Sequence, residues 1–293
     1  MKDFQYAAPT SIDDAVRLLS DSDRQTVVLA GGTDIIVQLR EGMREADLVI
    51  DVKKICDVME LSYSHAGGLR LGAAVPCYEI SENAEVSAAY PALADAVRII
   101  GGWQIQSRAS VGGNLCNSSP AADSIPPLIV HQGVCHMAGP DGRRSLPVHD
   151  FCTGPGKNVL QSGELLVAVT LPPPIAQSAS AYERFIPRNE MDIAVVGAAS
   201  WVQLDETGEA IQHARITLAA IAPTPVVATE ASEWLAGKPA NDESFATAGE
   251  LAKKVASPID DMRGTAEYRI HLTGVLVKRT LAKAVQRARS AFA

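Results

Sequence analysis

Val27-Val28-Leu29-Ala30-Gly31-Gly32-Thr33-Asp34-Ile35 is a β-branched run that ends in a glycine pair. Eighty-one residues further on, a second pair stands in Ala109-Ser110-Val111-Gly112-Gly113-Asn114-Leu115-Cys116-Asn117-Ser118-Ser119-Pro120-Ala121-Ala122-Asp123. Adjacent glycines mark places where a Cβ is not tolerated, because φ is positive or because something large lies against the backbone. Successive bare N–H groups in such a turn form a concavity that holds an anion. Two such turns would hold the two phosphates of a dinucleotide, whereas either pair alone reads equally well as an ordinary turn. Neither pair fits G-x-G-x-x-G, and neither is followed by the Lys-Ser/Thr of a P-loop. Any phosphate here is therefore expected to meet backbone N–H groups and the hydroxyls and amides of Thr33, Ser110, Asn114, Asn117, Ser118 and Ser119 rather than a lysine. Asp34 and Asp123 accept hydrogen bonds only, which suits sugar-type hydroxyls. For Asp123 a helix N-cap ahead of Ser124-Ile125-Pro126-Pro127 is an equal alternative.

Working outward, Ser11–Leu19 reads as a capped amphipathic helix, Thr26–Leu29 as a buried strand, Ile35–Arg40 as a short helix and Asp47–Val52 as a second strand. Together they make a small α/β unit. Residues 68–74, 127–137 and 164–171 read as strands, and Tyr78–Asn83 and Pro91–Ile100 as helices, the second ended by Gly101-Gly102. Gly139-Pro140-Asp141-Gly142 is a tight turn. Leu171-Pro172-Pro173-Pro174 and the small polar residues after it form the boundary between domains. Beyond it, Asp192–Leu204 and Ala214–Ala222 pair as antiparallel strands, and Asp242–Val255 and Glu267–Phe292 are helical. The fold class is α+β: a two-part domain over 1–175 (subdomains about 1–57 and 58–175), then an α+β domain with an antiparallel sheet and helices over 179–293.

The 293 residues carry a net charge of −8, which disfavours a nucleic-acid partner. No apolar run approaches the roughly 20 residues of a membrane span, and Met1–Tyr6 lacks a signal-peptide core, so a cytoplasmic protein is expected. Cys56, Cys77, Cys116, Cys135 and Cys152 are scattered, as are the six histidines, and no metal site of this chain is expected. Trp103, just after Gly101-Gly102, reads as a core residue in preference to one at the edge of the cleft.

The two glycine segments, Ser119-Pro120-Ala121-Ala122-Asp123, Tyr182–Phe185, Pro187–Gly197 and Arg263–Arg269 stand in the order and spacing of one family. The chain resembles the FAD-binding medium subunit of the molybdenum hydroxylases, the xanthine dehydrogenase and carbon monoxide dehydrogenase type, over nearly its full length. The resemblance implies a PCMH-type FAD-binding domain followed by the family's C-terminal flavoprotein domain. It implies that residues 29–35 (Leu29, Ala30, Gly31, Gly32, Thr33, Asp34, Ile35) and 109–115 (Ala109, Ser110, Val111, Gly112, Gly113, Asn114, Leu115), with Cys116, cradle FAD. It adds Ile100 and Gly101 at the cleft, Asn114 and Asp123 at FAD polar groups with Ser119 in the same loop, and Leu165 or Leu166 beside the flavin. Arg184 stands where many relatives carry lysine near the flavin, and Tyr182 is either a stacking or a core residue.

No catalytic residue is implied on this chain. The implied partners are a large molybdopterin-binding subunit and a small subunit with two [2Fe–2S] clusters, in a dimer of heterotrimers (a heterohexamer). The extra cysteine-rich insertion of the benzoyl-CoA reductase branch is not present between Asp123 and Val148. A self-sufficient FAD-dependent reductase or oxidase of the same cofactor-binding superfamily is the alternative, and a cofactor-free scaffold a third.

Overall fold

The computed structural model describes residues 2–188 and 190–290. Asn189 and the end of the last predicted helix, Phe292 included, lie outside the described residues. The first sheet has three parallel strands in the order Gln5–Ala7, Leu48–Asp51, Thr26–Leu29. The helix Ile12–Leu19 covers it. Ser11 accepts the Asp14 N–H at 3.1 Å as N-cap, and Ile12 and Ala15 face inward. A cap of this kind is worth about 1 kcal/mol.

A second, antiparallel sheet of five strands runs Leu61–Ser64, Gly68–Gly72, Leu165–Leu171, Val134–Gly139, Gly142–Pro147. The two sheets share a core. Ile12, Ala15, Leu48 and Ile50 from the first pack with Ala74, Ala138, Leu165 and Val167 around the second. The central strand Leu165–Leu171 is buried along almost its whole length, which is why it reads as a continuous apolar run. A third sheet of four antiparallel strands, Ser178–Phe185, Val196–Leu204, Ile211–Ala219 and Val226–Val227, packs against the 25-residue helix Ala266–Ser290.

Four local expectations are corrected. Residues 127–130 are not strand: Ile125–Val130 is a helix, and the strand begins only at Val134. Pro126 and Pro127 sit in its first turn, where their missing N–H groups cost nothing. The second glycine pair is not a loop but the first turn of a helix, Val111–Asn117, capped by Ser110, whose Oγ accepts the Gly113 N–H at 3.0 Å. Ser178–Ser180, expected to be linker, already belongs to an edge strand. Trp103, expected in the core, is 87% exposed at the start of a four-residue helix.

The third sheet and its long helix are fastened to the preceding part by charged and polar contacts. Arg287 holds the Asp95 carboxylate through two nitrogens at 2.7 and 2.8 Å, and Asp95 also accepts the Tyr182 N–H at 3.1 Å. The Ser180 hydroxyl accepts the Ala92 N–H at 3.0 Å and lies 2.9 Å from His131 Nε2. Arg215 lies 3.6 Å over the Trp201 ring and donates to the Val130 carbonyl. His131 is buried at the centre of this seam, edge-on to Tyr90. Burial, with the nearby Arg215 charge, drives its pKa down to about 3.

The imidazole is therefore neutral in the folded chain. An unfolded histidine titrates at about 6.5. A depressed folded pKa gives stability that is present above the unfolded value and lost as pH falls through the window towards the folded one. Between pH 7 and pH 5 the loss from this residue is about 2 kcal/mol. Urea midpoints of the wild-type chain fall over that range, and His131→Asn flattens the fall; equal slopes in the two proteins would remove His131 from the account.

Candidate functional site

The two glycine segments meet face to face. A Cβ built on Gly31 would stand 2.1 Å from the Arg108 carbonyl oxygen and 2.9 Å from Ala109 Cα, so the first turn lies directly on the backbone that leads into the second segment. Gly32 has φ +81°, the left-handed region that favours glycine. A Cβ on Gly112 would stand 2.4 Å from the Ala73 carbonyl oxygen. Protein backbone that approaches Gly31 and Gly112 is thus enough to require glycine at both. Gly113 differs: a Cβ there would meet Ser110 Oγ at 2.9 Å and otherwise only Ala30 Cβ at 4.0 Å.

Between the segments lies a cleft of about 510 Å³, a size ordinary for a small-molecule site. Its lining gathers most of the residues expected from sequence: Ala30, Gly31, Gly32, Thr33, Asp34, Ile35, Ile100, Ala109, Ser110, Gly112, Gly113, Asn114, Cys116, Leu165 and Leu166. Among the described residues, no acceptor lies within hydrogen-bond reach of the N–H groups of Gly31, Gly32 and Thr33. Asn114 Oδ1 accepts the Ser124 hydroxyl at 2.7 Å, which commits the oxygen and leaves the NH₂ as the donor of a residue that lines the cleft. The Asp34 carboxylate accepts Gln38 Nε2 at 2.6 Å, and the same amide reaches Asn117 Oδ1 at 3.4 Å, a polar bridge from the first segment to the second. Apart from the exposed guanidinium of Arg44, the donor set is one of neutral N–H groups with hydroxyls and amides, which fits a pyrophosphate held without a lysine. The Cys116 thiol is pushed up to about 12 by burial, so it lines the cleft as a small apolar group.

The structure does not bring Leu29, Gly101, Val111, Leu115, Ser119, Asp123, Tyr182 or Arg184 into this lining. Leu29 Cδ1 packs close to Gly32, and Gly101, at φ +62°, turns the chain after Ile100. Val111 and Leu115 are buried, and Ser119 caps the Ala121 N–H. Asp123, Tyr182 and Arg184 form one buried cluster. The Tyr182 hydroxyl donates to Asp123 Oδ1 at 2.7 Å, Arg184 pairs with Asp123 Oδ2, and Arg184 also donates to the Ile99 carbonyl at 2.7 Å. Burial raises the Asp123 carboxyl, to about 6, against the pull of Arg184 and Tyr182, and burial also raises the Tyr182 phenol. The cap of the following helix falls at Ser124 and not at Asp123.

Sequence reasoning missed Gln38, Arg44, Asn158, Leu160 and Glu164 on the cleft wall. Asn158 donates to the Cys116 carbonyl at 2.8 Å, and Glu164 is held by Arg144 at 2.6 and 2.7 Å. Nothing in the sequence singled them out: Gln38 and Arg44 follow the first glycine turn, and Asn158, Leu160 and Glu164 precede the strand Leu165–Leu171. Among the described residues, no group of three or more His, Cys, Asp or Glu is placed to hold a metal ion, and no helix is long and apolar enough to cross a membrane.

Residues 2–174 match the family described as the FAD binding domain in molybdopterin dehydrogenase, and residues 180–284 match the CO dehydrogenase flavoprotein C-terminal domain. The chain is 31% identical over 287 residues to the putative xanthine dehydrogenase FAD-binding subunit of Escherichia coli (strain K12), with 97% of each chain covered. It is 31% identical over 292 residues to the carbon monoxide dehydrogenase medium chain of Afipia carboxidovorans, with 98% of each covered. A chain of the Cu,Mo-CO dehydrogenase in its cyanide-inactivated form superposes with a TM-score of 0.91 at 28% identity, over 97% of this chain and 98% of that one. A chain of quinoline 2-oxidoreductase from Pseudomonas putida 86 also gives 0.91, at 27% identity, over 98% and 99%.

Alanine at Gly31 or Gly112 forces apart backbone that has no room to move, and each variant loses about 1–3 kcal/mol or more of stability. Alanine at Gly113 disturbs the Ser110 cap alone and loses no more than about 1 kcal/mol. Chemical denaturation of the three variants checks the order; Gly113→Ala as the most damaging would contradict the packing.

Proposed function

The chain belongs to the FAD-binding medium subunits of the molybdenum hydroxylases, and on that premise we propose that it is the electron-transfer subunit of a heteromeric oxidoreductase that holds FAD across the two glycine segments. The observation that carries the reading is the single cleft into which both segments converge, with the Gly31, Gly32 and Thr33 N–H groups lacking internal acceptors. FAD supplies the electron exchange when bound; the protein contributes binding, orientation and the local field.

In this reading the first turn and the Val111–Asn117 helix take the pyrophosphate. Asn114 and Asp34 meet neighbouring polar groups, while Ile100, Leu165 and Leu166 offer the apolar wall a flavin ring needs. Glu164 is already neutralised by Arg144, and Asp34 is already bonded to Gln38, which reduces the repulsion that two carboxylates on the wall would exert on a bound anion. A large molybdopterin-binding subunit would hydroxylate the substrate, and a small subunit with two [2Fe–2S] clusters would relay electrons to this chain. An external acceptor would then receive them. The assembly inferred is a cytoplasmic dimer of heterotrimers. Relatives named for xanthine, carbon monoxide and quinoline resemble this chain over nearly its whole length, which supports placing the choice of substrate on another subunit.

Full-length chain reconstituted with FAD and freed of unbound flavin by gel filtration keeps the yellow flavin absorbance stoichiometrically. Co-expressed with a large molybdopterin-binding subunit and a small [2Fe–2S] subunit from its own source, it purifies in their complex. A chain that retains no flavin after reconstitution overturns the proposal. Steady oxidation of NAD(P)H by the isolated chain at ordinary enzyme rates would transfer the assignment to a self-sufficient flavoenzyme.

A further inference from the structure

Behind the first glycine turn, Lys53 follows the lining residue Val52 but does not itself line the cleft, and it makes two close contacts. Its Nζ donates to the Ala30 carbonyl at 2.8 Å and to Asp51 Oδ1 at 2.7 Å. Asp51 closes the strand Leu48–Asp51 and caps the short turn after it by accepting the Lys53 N–H at 3.0 Å. Its second oxygen accepts the Tyr6 hydroxyl at 2.7 Å. The ammonium and the carboxylate are mostly shielded, at 22% and 13% exposure, so the hydrogen bonds they make are of the stronger, charge-assisted kind.

The Ala30 carbonyl and the Gly31 N–H belong to one planar trans peptide and point to opposite sides of it. A cation that grips the carbonyl from behind therefore fixes where the Gly31 N–H points. On its other face the same glycine is stopped by the Arg108 and Ala109 backbone, so the peptide is held from two directions. The Gly31 N–H has no acceptor among the described residues, and Gly31 lines the cleft. Among the described residues the lining carries Asp34, Glu164 and Arg44 as its charged groups and no lysine. The positive charge of Lys53, one peptide behind the turn, also polarises that peptide in the sense that strengthens its N–H as a donor.

We propose that Lys53 is a positioning residue for the pyrophosphate of the dinucleotide: braced by Asp51, it orients and polarises the Ala30–Gly31 peptide so that its N–H is presented to the phosphates. Lys53 acts through the backbone and does not touch the ligand. This inference rests on the proposed FAD site, and its test separates the two. The full chain, stripped of flavin, is titrated with FAD, ADP and riboflavin; the first two carry a pyrophosphate and the third carries no phosphate.

Lys53→Met is expected to weaken FAD and ADP by about tenfold or more while riboflavin stays within about twofold of wild type. Lys53→Arg, which keeps a charged donor, restores most of the FAD affinity. Should Lys53→Met not fold, Lys53→Gln carries the same three-ligand comparison, with thermal unfolding as the control. FAD affinity unchanged in the variant overturns the role of Lys53 and leaves the FAD site standing. Equal losses for FAD and riboflavin also overturn it, since a general collapse of the subdomain would give that pattern. A wild-type chain that binds neither FAD nor ADP sinks the underlying site instead.

Discussion

The contact on which the cleft depends is made of backbone alone. Gly31 rests on the Arg108 carbonyl and Ala109 Cα, and Gly112 rests on Ala73, so three segments remote in sequence touch without intervening side chains. Such contacts are short and stiff, because neither partner has a rotamer to change. They place two sets of peptide N–H groups on one cleft and hold them there before any ligand arrives. Donors fixed in this way lose little freedom on binding, which is the usual advantage of a preformed site over one assembled from long side chains.

An anion site built from N–H groups also has a different charge economy from one built on lysine. The wall carries Asp34 and Glu164, and both are occupied, by Gln38 and by Arg144. Arg144 is itself a surface residue on the strand Gly142–Pro147, so its role at the cleft comes through Glu164. Besides the exposed Arg44 on the wall, full positive charge stands behind the turn at Lys53, on the far side of the peptide it grips. At the first turn a dianion would meet dipoles at close range and the Lys53 cation at one remove. Dipoles of fixed orientation stabilise charge without having to reorganise around it.

The fold was legible where local chemistry decides it. The Ser11-capped helix, the buried strand Leu165–Leu171 and the positive-φ glycine at 32 each carry their own signal. It was illegible where one pattern serves two structures. The apolar stretch 127–137 looks like strand, but its first part continues a helix whose two prolines occupy the first turn; a short apolar run cannot be told apart by periodicity. The glycine pairs stand out in the sequence, but the sequence could not say what lies against them, and at Gly31 and Gly112 it is the chain itself. Gln38, Asn158 and Leu160 gave no signal because they become wall residues only when the subdomains close on each other. Trp103 looked like core because of its residue type, while its four-residue helix presents it to solvent.

Among the described residues, every one that lines the cleft precedes position 167, so the described part of the C-terminal domain contributes none of the wall. It nonetheless grips the elements behind that wall. Arg184 donates to the Ile99 carbonyl, one residue before Ile100 reaches the cleft. The Ala220 N–H donates to the Pro120 carbonyl at 2.7 Å, just beyond the helix that carries the second glycine pair. Arg287 and Tyr182 hold Asp95 on the helix Pro91–Val97, which leads to Ile100. Asp123 joins these supports, since its buried carboxylate is shared between two residues of the strand Ser178–Phe185. A bound dinucleotide would thus feel the second domain through the firmness of the walls, and loosening this seam would reach the cleft without altering a single lining residue.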